Sequence, residues 1–117
     1  MINLFRRKNN VQFTEDNVGR FTELLTEIYV ILRDNAYSHQ AECIMQILTA
    51  VQKQDADMFK QKVISTDMLG GAGSVIDVSL CDEEIVKRFY RLINDFLKLT
   101  LKAGLNHRAI NSRITKE

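Results

Sequence analysis

Two histidines and two cysteines are the residues of this chain suited to metal or nucleophilic chemistry. His39 and Cys43 stand four apart, a spacing that brings two ligands onto one face of a helix. Cys81 and His107 could complete a Cys₂His₂ tetrahedron, but no pair shows the close Cys-x₂-Cys spacing of structural zinc sites. Cys43 reads as a small buried hydrophobe, and His39 as a solvated residue near a helix start. Cys81 would act as a nucleophile only with a histidine brought beside it, which chain spacing does not supply. The paired carboxylates Asp55 with Asp57 and Glu83 with Glu84 are of the right type for acid–base work, yet they fall at helix starts, where capping and the helix dipole account for them. No catalytic residue, metal or cofactor is expected.

The glycines Gly70, Gly71 and Gly73 raise phosphate binding as the next chemistry to test. A phosphate loop aims successive backbone N–H groups and a helix N-terminus at the anion. Here Gly70-Gly71-Ala72-Gly73-Ser74 leads into Val75-Ile76-Asp77-Val78-Ser79-Leu80, which is not a helix start. No lysine follows the last glycine and no strand precedes the first, so the Walker and dinucleotide fingerprints both fail. Ile76, Val78 and Leu80 instead alternate with Asp77, Ser79 and Cys81, the period of a half-buried extended strand. Such a strand needs partners for its backbone groups. It could pair with β-like pieces at 2–5 or 11–13, lie across the molecule with water meeting its polar groups, or offer an edge to another chain. An irregular segment spanning 66–81 is longer than a compact domain usually carries without a purpose. Asp67, Gly70, Gly71, Gly73, Ser74, Asp77 and Ser79 are therefore the expected partner-binding residues. The plainer alternative is a turn plus a strip that closes the bundle.

The elements that must position this segment are helices. Thr14 is the expected N-cap of a first helix over about 15–34, with Phe13 and Val18 as a hydrophobic staple. Phe21, Leu24, Leu25, Ile28, Ile31 and Leu32 form its apolar stripe. Asn35-Ala36-Tyr37-Ser38 is a short link, with Ser38 a candidate cap for a second helix, striped by Ala41, Ile44, Ile47, Leu48 and Val51 and ending near Gln54. So tight a link implies an antiparallel αα-hairpin. Asp55 caps a shorter third helix through Met58, Phe59, Val63 and Ile64. The last long helix opens on Asp82-Glu83-Glu84 and carries Ile85, Phe89, Leu92, Ile93, Phe96, Leu99 and Thr100, with Gly104 as its C′ residue. Val86, Tyr90, Leu97 and Leu101 widen its apolar face so far that it is expected to be the spine of the bundle. The predicted fold is all-α: one domain over 1–117 with four main helices, an N-terminal arm at 1–12, a glycine-containing extended crossover at 66–81, and a tail at 105–117 in which Ala109, Ile110 and Ile114 could form one or two helical turns.

The totals bound the function. The chain has 117 residues, enough for one core. Sixteen basic and fifteen acidic residues leave a net charge of +1, which argues against general attraction to nucleic acid. The charges are mildly segregated: Asp55–Cys81 holds two basic and four acidic residues, and 82–117 holds eight basic and five acidic. Arg6-Arg7-Lys8 could touch phosphate or anionic lipid, but three charges are few. The N-terminus does not read as a secretory signal, no apolar run is long enough to cross a bilayer, and two cysteines make no disulfide scaffold. A cytoplasmic protein without nucleic-acid or membrane partners is expected.

Gly70-Gly71-Ala72-Gly73-Ser74-Val75-Ile76-Asp77-Val78, followed by an acidic turn and a long final helix, resembles a GG-A/M-GS-x-x-D signature of small helical bacterial immunity-like proteins encoded beside polymorphic toxins. The likeness covers roughly residues 67–108. Where many members carry tryptophan before the glycines, this chain has Leu69. The resemblance implies a protein-binding module that neutralises a cognate toxin by occluding its active site. The alternative from the residues is a small helical enzyme or ligand-binding domain with a pocket between the crossover and the last helix. A subunit that forms a homodimer through the extended strip is a third reading.

Overall fold

The computed structural model describes residues 11–114. The piece at 2–5 and the Arg6-Arg7-Lys8 cluster lie outside the described residues. The order is α1 (Glu15–Asp34), α2 (Ser38–Lys53), α3 (Ala56–Val63), α4 (Thr66–Leu69), a 3₁₀ turn (Val75–Asp77), α5 (Glu83–Lys102) and α6 (Arg108–Asn111). The protein is all-α, with four helices longer than a single turn and no strand among the described residues.

Local chemistry explains most boundaries. Thr14 caps α1, its hydroxyl oxygen accepting from the Asn17 N–H at 3.1 Å, and Asp55 caps α3 by accepting from Met58 at 3.0 Å. Asp82 accepts from the N–H groups of both Glu84 and Ile85 at the start of α5. At its far end the Gly104 N–H reaches the Leu101 carbonyl and the Leu105 N–H reaches Thr100. That is the Schellman pattern, and it requires the positive φ of +122° at Gly104. Ser38 is not the cap of α2. Tyr37 occupies that position without a side-chain cap bond, and Ser38 is the first helical residue.

The central helix is α1, not α5. It packs along α2 on one side and α5 on the other, while α2 also carries α3 and α4. Every residue of the predicted α1 stripe is buried. On α5, Ile85, Val86, Leu99 and Leu101 are only half-buried, and Tyr90 is 40% exposed. The physical reason is connectivity: the three-residue link forces α2 against α1, so α5 can only add to the open flank of that hairpin. The two outer layers meet through aromatic rings. Phe21 of α1 lies 5.1 Å from Phe59 of α3 and 5.8 Å from Phe96 of α5, and Phe13 stacks edge-on to Phe59 at 5.5 Å. Such tilted and edge-to-face contacts add to the burial term. Residues 11–13 form no strand. The Gln12 N–H bonds to the Ala103 carbonyl at 2.7 Å and Val11 is buried. The tail forms α6, which seats Ile110 fully in the core.

Candidate functional site

The crossover is less irregular than its composition suggests. Ser65 accepts from the Met68 N–H and donates to the Lys62 carbonyl, starting the single turn of α4. Met68 and Leu69 are buried, and Thr66 and Asp67 are exposed. Gly70 ends that turn because a Cβ there would lie 2.5 Å from the Thr66 carbonyl oxygen, closer than any side chain tolerates. The chain reverses through Gly73 at φ +87°, a conformation that favours glycine. Gly71 has open space around it.

Beyond the reversal, Val75–Asp77 is a 3₁₀ turn and Val78 is extended, at φ −70° and ψ 150°. The predicted strand is thus replaced by a helical turn and a short extended run. The alternation survives in part: Val78 is buried while Asp77, Ser79 and Cys81 face out, but Ile76 and Leu80 are only half-buried and Val75 is fully inside. A 3₁₀ turn advances three residues per revolution, so it cannot keep the two-residue period of a strand.

Side chains of the scaffold satisfy the backbone of the extended run. The Tyr37 hydroxyl donates to the Ser79 carbonyl at 2.7 Å and accepts from the Ser79 N–H at 2.9 Å. On α5 the Tyr90 hydroxyl is shared between the carbonyls of Ile76 and Val78, at 3.2 and 3.1 Å. Gln40 of α2 donates to the Gly73 carbonyl at 2.9 Å, and Arg113, just past α6, donates to Leu69 at 3.0 Å. Four side chains from the α1–α2 link, α2, α5 and the tail therefore hold the crossover by its main chain. No sequence pattern flags Tyr37, Gln40, Tyr90 or Arg113. The nearest signal is Tyr90, an aromatic residue with a polar end on the margin of the α5 apolar face.

Of the residues expected to meet a partner, Asp67, Gly71, Gly73, Asp77 and Ser79 are exposed and Gly70 is half-buried. Ser74 is a correction. It is 1% exposed, and its hydroxyl donates to the Gly70 carbonyl at 2.8 Å, so it braces the turn and offers a partner nothing. The outward face is acidic. Between Val63 and Val86 the charged residues are Asp67, Asp77, Asp82, Glu83 and Glu84, all exposed. Asp67 faces His39 at 3.5 Å in a solvent-exposed pair, an arrangement worth little to stability. The Tyr90 hydroxyl is pushed up from its ordinary value, first by burial and then by the negative charge of Asp77, with Tyr37 adding to the shift.

The histidines and cysteines do not converge. Cys43 is buried and Cys81 is exposed, and both are free thiols. His107 Nδ1 accepts from the Ala109 N–H at 3.0 Å, capping α6. Among the described residues no group of three or more His, Cys, Asp or Glu side chains is placed to hold a metal ion. Burial pushes the Cys43 thiol up to about 11, with Asp67 adding to the shift and Lys62 opposing it. It is therefore protonated at neutral pH and poor as a nucleophile. No helix among the described residues is long and apolar enough to cross a membrane. Comparisons with protein-family models, curated proteins and solved structures gave no match.

Proposed function

We propose that this protein is a non-enzymatic binding module that recognises another protein through the outward edge of the 66–81 crossover. One observation carries the reading: an exposed acidic edge is pre-positioned on a helical scaffold by hydrogen bonds from Tyr37, Gln40, Tyr90 and Arg113. A surface fixed before binding loses less conformational entropy on association. Its carboxylates would steer and register a basic partner surface. The resemblance of the Gly70–Val78 stretch to toxin-associated immunity proteins makes toxin neutralisation by occlusion, in the cytoplasm of the producing cell, the specific version of this reading. Two facts weigh against its rivals. The Tyr90 hydroxyl spans the seam between crossover and α5 where the alternative reading places a ligand pocket. Tyr37 and Tyr90 occupy backbone groups that strand addition between two copies would need.

The test is an affinity capture from the native host with wild type and with an Asp67→Lys/Asp77→Lys double variant. Both aspartates are exposed, so the double variant should melt within about 2 °C of wild type, as surface substitutions of this kind cost little. A protein retained stoichiometrically by wild type and lost with the double variant supports the reading. Retention of the same protein by both removes this edge as the recognition surface. For the toxin version, co-expression with the product of the adjacent gene should restore growth only with wild type.

A further inference from the structure

We infer that residues 71–81 are a strap that detaches from the helical scaffold as a unit, without unfolding of the bundle. The inference does not depend on the proposed partner, and it is compatible with a pre-positioned edge because the closed strap is the major state and the lifted strap a minor one. Among the described residues, no backbone-to-backbone hydrogen bond joins 71–81 to a helix of the bundle. The bonds of the Ser74 and Asp77 N–H groups end on Gly71 and Ser74 inside the strap itself. Its attachments are of two other kinds. Val75 and Val78 are buried in the scaffold, with Ile76 and Leu80 packed over its margin. Side-chain bonds add to this. The buried Ser74 hydroxyl donates to the Gly70 carbonyl. From outside, Gln40 donates to Gly73, Tyr37 both donates to and accepts from Ser79, and Tyr90 donates to Ile76 and Val78.

The ends are built to let this happen. At one end Gly70 terminates α4 with its N–H already bonded to Thr66, and at the other Asp82 caps α5 through its own side chain. Both terminations are local and survive if the residues between them lift. The scaffold helices differ: each has its internal ladder, and together they share the buried faces of α1, α2, α3 and α5. Segments with few buried apolar contacts open at lower free energy than the core. Opening would remove Asp77 and Ser79 from their fixed places. A partner that binds the closed strap would in turn hold it shut.

Native-state hydrogen exchange on the isolated protein tests this. The useful probes are the Ser79 amide, whose acceptor Tyr37 lies across the seam, and the Ser74 and Asp77 amides. The latter two make turn bonds that lose the cover of the scaffold when the strap lifts, and their acceptors are untouched by substitutions elsewhere. In wild type they should exchange much faster than core amides such as Leu25 and Ile47, with little dependence on low concentrations of denaturant. A Tyr37→Phe/Tyr90→Phe double variant should accelerate Ser74 and Asp77 further, by roughly tenfold per hydroxyl removed. They should remain far faster than the core amides and insensitive to low denaturant, while core amides that exchange through global unfolding rise by no more than the same factor. If Ser74 and Asp77 in wild type exchange only at the rate of the slowest core amides, the strap does not open independently and the inference fails. Ser74 and Asp77 amides that the double variant leaves at the wild-type rate would overturn it as well.

Discussion

Alanine substitutions at the three crossover glycines should give three different results, and their order follows from geometry. At Gly70 the added methyl would sit 2.5 Å from the Thr66 carbonyl oxygen and 3.0 Å from its Cα. The obstacle is backbone, which cannot rotate away, so the turn of α4 must shift and disturb the buried Met68 and Leu69. Overpacking that displaces backbone costs about 1–3 kcal/mol. At Gly73 the methyl meets open space, but φ is +87°. A left-handed conformation costs an L-residue roughly 1–2 kcal/mol. At Gly71 neither penalty arises, and the reduced freedom of the unfolded chain should make Gly71→Ala neutral or slightly stabilising, by up to about 1 kcal/mol. A domain of this size loses about 4 °C in Tm per kcal/mol. Thermal and urea unfolding of the three variants should therefore place Gly70→Ala about 4–12 °C and Gly73→Ala about 4–8 °C below wild type, with Gly71→Ala at or above it. A Gly71→Ala variant as unstable as Gly70→Ala would refute the geometric account and mark all three glycines as one unit.

The two thiols should separate sharply in a thiol-titration assay at pH 8: Cys81 should react at once and Cys43 only after denaturant is added, because burial holds Cys43 protonated and covered. Comparable rates at both positions would show Cys43 to be accessible. Alkaline titration should reveal Tyr90. Its folded-state pKa is raised, so the stability linked to this shift is fully present below about pH 10, the ordinary tyrosine value, and is lost as pH rises through the folded-state pKa. Urea midpoints should fall across that window for wild type, and Tyr90→Phe should be less stable at neutral pH but show a shallower alkaline decline. Identical pH profiles would dissociate Tyr90 from the effect.

The helices were legible because their signals are local. The Thr14, Asp55 and Asp82 caps act within three residues, and the α1 stripe repeats every three or four. The bounds Glu15–Asp34 follow from these alone. At the start of α2 two local signals compete. Ser38 has the chemistry of a cap, but α2 begins one residue earlier in register, with Tyr37 at the cap position and its hydroxyl committed to Ser79. The crossover misled for a related reason: Ile76, Val78 and Leu80 alternate as a strand does, yet Val75 outweighs the pattern by turning into the core.

What the chain determines by itself, then, is the set of helices, their ends, and a glycine-marked break before α5, since caps, stripes and a positive φ are properties of neighbouring residues. Tertiary structure decided the rest. It made α1 the centre instead of α5, turned Ser74 inward, and assigned Tyr37, Gln40, Tyr90 and Arg113 to the crossover main chain across separations of up to 44 residues. A hydroxyl or guanidinium that can reach many carbonyls carries no mark of which one it will meet; that choice falls to the packing of α2 and α5 against α1, which brings only certain pairs within hydrogen-bonding distance.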